Sequence, residues 1–167
     1  MKNILLITVL YICFCGFSYA ADEVQDDISR HPDCFYCGMS RTEFAHSRVQ
    51  IKYDDGSELG VCSLRCAALD LAFSTNKTPV FFGVGDYKTG KLIDAEKAHW
   101  IIGGDKAGVM SRRAKWAFEH KADADAFIKA HGGAAAGFGE AMESTFVDMY
   151  RDLKMTWEQR KMFFDEE

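Results

Sequence analysis

Val49-Gln50-Ile51-Lys52-Tyr53-Asp54-Asp55-Gly56-Ser57-Glu58-Leu59-Gly60-Val61-Cys62-Ser63-Leu64-Arg65-Cys66 reads as a strand, a tight turn, a returning strand and the start of a helix. Val49, Ile51 and Tyr53 alternate with polar neighbours, the period of a half-buried strand over residues 47–53. Asp55-Gly56 tolerates the positive φ that tight hairpins require, so residues 57–62 return as the partner strand. Ser63 offers an N-cap, and Leu64, Ala67, Ala68 and Leu71 share one face of a helix reaching about residue 74. The apolar run 79–84 closes the unit as a buried strand.

Beyond residue 97 the same order returns. Residues 98–102 read as a strand, 103–111 as a Gly-rich loop carrying Met110, 114–118 as a strand and 122–131 as a helix stopped by Gly132-Gly133. Residues 135–138 form a last strand, and 141–154 a helix with Phe146, Met149, Tyr150 and Leu153 on one side. The predicted fold is α+β: two small strand-strand-helix-strand units, about 47–86 and 98–140, packed together and followed by a C-terminal helix. Residues 34–155 make up the domain, 21–33 a flexible lead-in and 156–167 a fraying polar tail.

The first twenty residues stand apart. Lys2 supplies a positive start, residues 4–17 are apolar, and Ser18-Tyr19-Ala20 places small residues where a signal peptidase reads. The reading is a signal peptide cleaved after Ala20, with export to the periplasm. Cys13 and Cys15 follow Ile12 and Phe14, whereas lipid attachment needs a small residue before the cysteine. Charged residues make up 27% of the chain and hydrophobic ones 48%, which excludes a disordered protein. The formal net charge of −5, with no run of Lys or Arg, excludes a basic nucleic-acid-binding surface.

Cleavage leaves Cys34, Cys37, Cys62 and Cys66, in a C-x2-C and a C-x3-C pair joined by the hairpin. Thiols brought together by a knuckle and a helix start assemble metal sites of the zinc-ribbon kind, and two disulfides are the other reading for an exported protein. Cys66 falls in the first helical turn, where free backbone N–H groups favour a thiolate. In Cys37-Gly38-Met39 a thiolate and a thioether can converge on one ion if the backbone bends at Gly38, and such soft donors select Cu(I). Zinc on the four cysteines is the alternative. His31 and His46 are candidate nitrogen ligands, although no histidine pair has metal-site spacing. Cys34–Cys37 lacks the strand and long helix that frame a thioredoxin motif, and no G-x-S-x-G elbow or P-loop occurs, so an enzyme is not expected.

The succession Cys34-Phe35-Tyr36-Cys37-Gly38-Met39, residues 49–56, Val61-Cys62-Ser63, then residues 95–104, Gly108-Val109-Met110, Ala117-Phe118 and His131-Gly132-Gly133 resembles the NosL family of nitrous-oxide reductase accessory proteins. The resemblance implies an exported Cu(I)-binding protein whose two units are distantly like organomercurial lyase. It implies copper held by Cys37, Met39 and Met110, with Cys34, Cys62 and Cys66 as additional thiols. The implied partner is nitrous-oxide reductase, during assembly of its copper-sulfide centre, or another copper-accepting exported protein. Membrane-associated assembly partners and a homodimer around shared metal are further expectations of that reading.

Overall fold

The alternation in residues 47–62 folds as a hairpin because one face must be buried. In the computed structural model, which describes residues 26–164, β1 (Val49–Tyr53) pairs antiparallel with β2 (Glu58–Val61), Val49 opposite Val61 and Ile51 opposite Leu59. α2 (Leu64–Phe73) follows, with Ser63 at its N-cap in extended backbone, and β3 (Pro79–Gly85) pairs with the other edge of β1. A three-residue strand not foreseen from the sequence, β4 (Leu92–Asp94), adds to β3 and completes a sheet of order β2-β1-β3-β4.

The second unit repeats the plan. β5 (His99–Ile102) lies between β6 (Lys115–Phe118) and β7 (Ala134–Ala136), with α3 (Lys121–His131) connecting the last two. In both units the first strand is central, the second and third flank it, and every pairing within the sheets is antiparallel. The repeat expected from the sequence is thus present in the topology. A bridge between Asp86 and Ala117 joins the two sheets, with the Tyr87 N–H donating to the Ala117 carbonyl at 2.8 Å.

One apolar cluster runs through both units, from Val49, Ile51, Val61 and Ala67 to Trp100, Ala117 and Ala141. Trp100 is buried with its indole N–H satisfied by the Ala95 carbonyl at 2.8 Å. A smaller cluster of Ile101, Trp116, Phe118 and Phe127 sits under α3. The chain ends in α4 (Phe138–Phe164), which buries Ala141, Thr145 and Asp148.

Two expectations about the ends are corrected. The lead-in is anchored rather than flexible from residue 26: α1 (Asp26–Arg30) buries Asp27 between two arginines. Residues 156–164 continue α4 as helix rather than forming a separate tail. The signal peptide and cleavage site expected in residues 1–20 lie outside the described residues.

The Asp27 carboxylate accepts from Arg41 Nη2 and Arg48 Nε, each at 2.8 Å, and from Arg48 Nη2 at 3.0 Å. All three side chains are buried to within 2% exposure, so each charge must be matched in place. Arg41 spends its remaining donors on the carbonyls of Asp27, His31, Val49 and Val61. Gly60 leaves the room for this: a Cβ there would lie 2.4 Å from the His31 Cβ and 2.7 Å from Arg41 Nη1. Burial by itself would raise the Asp27 pKa, but the hydrogen bonds and charges of Arg48 and Arg41 outweigh it and hold the carboxyl below 3.8.

Asp27→Asn therefore leaves two buried guanidinium groups facing no anion and is expected to cost about 3–5 kcal/mol in a urea melt near neutral pH. Since the native pKa is depressed, the contribution is fully present above pH 3.8 and fades as the pH falls through the native value. Melts of wild type and variant should differ equally at pH 7 and pH 5 and converge only in acid strong enough to protonate the native carboxyl.

Candidate metal centre

The first cysteine pair sits in a knuckle that closes on itself. Gly38 takes φ +71°, which a side chain would resist, and turns the chain back. The Cys34 N–H donates to the Met39 carbonyl and the Gly38 N–H to the Cys34 carbonyl, both at 2.9 Å. The Phe35 N–H donates to the Gly60 carbonyl at 3.2 Å, tying the knuckle to β2. The second pair comes from one short stretch: Cys62 directly follows β2, and Cys66 lies in the first turn of α2.

These elements bring the sulfurs of Cys34, Cys37, Cys62 and Cys66 within 4.8 Å of one another, all as free thiols. Cys37 Sγ is 3.4 Å from Cys62 Sγ, which is 3.8 Å from Cys66 Sγ. Metal–sulfur bonds of about 2.3 Å in a tetrahedron separate the sulfurs by about 3.8 Å, so the cluster has the size of a thiolate site. Cys34, Cys62 and Cys66 are buried, and Cys37 alone of the four is exposed.

A second carboxylate fastens the knuckle to α2. Asp70 is buried and accepts from the Tyr36 hydroxyl at 2.8 Å, from the Tyr53 hydroxyl and from Ser74 Oγ at 3.4 Å. Burial and the adjoining carboxylate push the Tyr36 phenol up to about 12, so it stays a donor.

The thiols differ in how readily they ionise. Burial raises Cys34, but backbone N–H groups of Cys37, Cys62 and Tyr36 directed at its sulfur prevail and bring it down to about 7. Cys37 is pushed up to about 11 by desolvation and by the neighbouring thiols, and Cys62 rises further, its hydrogen bond with Cys66 contributing most and burial next. Without a cation the cluster therefore resists carrying several negative charges at once.

The other sequence candidates are distributed around this cluster. Met39 is partly buried and packs against the main apolar core. Met110 has φ +56°, the one non-glycine in the left-handed region among the described residues, and lines a groove of about 340 Å³ with Arg112, Asp152, Met155, Thr156 and Gln159. Its loop is held to α4 by Arg113, which donates to Asp148 at 2.9 Å and Ser144 at 2.6 Å. Asp152 in that groove also pairs with Arg65, the neighbour of Cys66, at 2.5 Å. No cysteine lines the groove. Neither His31 nor His46 belongs to the thiol group. His46 stands among Tyr87, Trp116 and Phe44, and burial lowers its pKa.

The model of the family described as NosL matches residues 25–146, most of the chain. The chain belongs to the NosL family. A solved structure with a similar fold is the crystal structure of the copper chaperone NosL from Shewanella denitrificans, at 24% identity and a TM-score of 0.53. That likeness covers 65% of this chain and 87% of the Shewanella chain and is a likeness of fold. No curated protein matches. The NosL match includes all four cysteines and ends at residue 146, within α4.

Sequence reading grouped the four cysteines but missed Asp27, Arg41, Arg48 and Asp70, the charges that set their positions. None sits in a motif; Arg48 and Asp70 carry the one signal, a charge inside a predicted strand and helix, whereas Asp27 lies in the predicted lead-in and Arg41 between the knuckle and the strand.

The thiol pKa values set how metal uptake responds to pH. A soft divalent probe such as Cd(II), followed through its sulfur-to-metal absorption, should bind more tightly as the pH rises, because bound thiolates release protons. Cys34 titrates near 7, so below that value its proton is displaced in addition to those of Cys37 and Cys62. The slope of log affinity against pH should fall by about one proton on passing from pH 6 to pH 8.

Proposed function

We propose that this NosL-family chain is a Cu(I)-binding metallochaperone: it holds copper in transit and gives it up by ligand exchange, without turnover. The observation that carries the reading is the cluster of four free thiols within 4.8 Å, three buried and Cys37 exposed. Thiolates are soft donors suited to Cu(I). A fully buried cage would trap the ion, whereas an exposed Cys37 lets an acceptor's ligand attack from outside while the buried sulfurs still hold the metal. Family membership and the copper chaperone among the similar folds support the same choice of metal.

In this reading Cys37 and Met39 are the primary copper ligands, Cys34, Cys62 and Cys66 supply the surrounding thiolates, and Met110 approaches from the second unit. The left-handed backbone of Met110 is consistent with a role that outweighs its conformational cost, about 1–2 kcal/mol. Export of the chain by residues 1–20 to the periplasm, and delivery to nitrous-oxide reductase or another copper-accepting exported protein beside membrane-associated partners, complete the proposal. Export rests on the pattern of residues 1–20, and delivery on what the family resemblance implies.

A structural zinc ion on the same thiols is the second reading, favoured by the 3.8 Å Cys62–Cys66 separation of a tetrahedral edge. Competition with a chromogenic Cu(I) chelator under reducing conditions separates the two. One Cu(I) per chain is expected, with tight binding lost in the Cys37→Ser, Met39→Leu double variant and retention of tight binding there overturning the copper assignment. Stripping the purified protein with a zinc chelator should leave the melting temperature unchanged, whereas a structural zinc would take much of the folding free energy with it.

Met110→Ala should weaken Cu(I) binding about tenfold, equivalent to about 1.4 kcal/mol, with little change in melting temperature. Met149→Ala, on the partly covered side of α4, should do the reverse. Wild-type copper affinity in Met110→Ala would remove Met110 from the ligand set.

A further inference from the structure

The family match stops at residue 146, yet α4 continues to Phe164 with a face that none of the described residues covers. While Ala141, Thr145 and Asp148 turn inward, Phe146, Tyr150, Leu153 and Trp157 are 41%, 61%, 49% and 49% exposed. Their spacing alternates four, three and four residues, the seam of a two-helix coiled coil rather than a scatter of surface hydrophobics. Continued one step each way, the seam ends in Glu143 and Arg160, both exposed and neither in an ion pair among the described residues.

This pattern is self-complementary in one orientation. When two copies of the seam run antiparallel about a two-fold axis, Phe146 meets Trp157, Tyr150 meets Leu153 and Glu143 meets Arg160 of the second copy. On the flank, Glu140 of one helix comes within a turn of Lys161 of the other. A parallel pairing would set Glu143 on Glu143 and Arg160 on Arg160. An acidic membrane surface is a poor alternative occupant, because residues 147–167 carry six Asp or Glu against four Lys or Arg. We propose that the outer face of α4 is a homodimerisation surface on which two copies pair antiparallel through residues 143–160, over about 27 Å of helix. The proposal requires no metal and stands independently of the copper reading.

Sedimentation equilibrium of the metal-free, reduced chain tests it. The expected result is a monomer–dimer equilibrium in the micromolar range. Leu153→Glu should abolish the dimer without changing helix content or melting temperature, since this side chain packs on little within the chain. Glu143→Arg and Arg160→Glu should each weaken the dimer about tenfold, and the double variant should recover wild-type association, because each new contact again joins opposite charges. A monomer at hundreds of micromolar, a dimer indifferent to Leu153→Glu, or no recovery in the double variant would each overturn the proposal. So would a monomer whose Trp157 fluorescence shifts on adding phosphatidylglycerol vesicles, which would make the face a membrane contact.

Discussion

The Asp27 carboxylate, clasped between Arg41 and Arg48, is the constraint from which the metal centre takes its shape. Three buried charges are a poor way to gain stability, since desolvation cancels most of their attraction. What the arrangement provides is position. Arg41 follows the knuckle by two residues and grips the carbonyl of Val61, the residue before Cys62. Its own N–H reaches back to the Pro32 carbonyl at 2.8 Å, just ahead of Cys34. One guanidinium thus sets the distance between the two cysteine pairs, and Asp27 sets the guanidinium.

Asp70 works from the other side. It takes the Tyr36 hydroxyl from the knuckle and the Tyr53 hydroxyl from β1 while standing on the helix that carries Cys66. Between these two carboxylates the chain's own hydrogen bonds hold the four thiols together. Binding an ion there costs proton removal, and the elevated thiols of Cys37 and Cys62 make that cost real. Such a site discriminates by affinity for sulfur, since only a thiophilic ion recovers enough to displace the protons.

How much of this the sequence disclosed follows from the range of each interaction. The β1–β2 hairpin, α2 and α3 are declared by local periodicity, and the structure moves their ends by two residues or less. The repeat was visible because each unit spells its own order. β4 escaped because Leu92-Ile93-Asp94 is too short to alternate; it is a strand only through β3. α1 escaped because four of its five residues are polar and its buried Asp27 is held by arginines far along the chain. The end of α4 looked like a fraying tail because its apolar residues are spread among charges, which is how a helix stripe appears when read in line. The cysteine cluster was legible as spacing, but the carboxylates behind it were not, since burying a charge depends on partners no local pattern names.

The unbroken apolar cluster bears on how the protein tolerates change. It passes from Val49 and Val61 in the first sheet to Trp100 and Ala117 in the second, so the first repeat shares its interior with the second, whose smaller cluster under α3 is its own. Duplicated units often drift apart into separable modules, each free to mutate without consulting the other. Here Trp100, far from any sulfur in sequence, belongs to the same buried cluster as Cys34, Cys62 and Cys66. The half without cysteines therefore shares its interior with the half that has them.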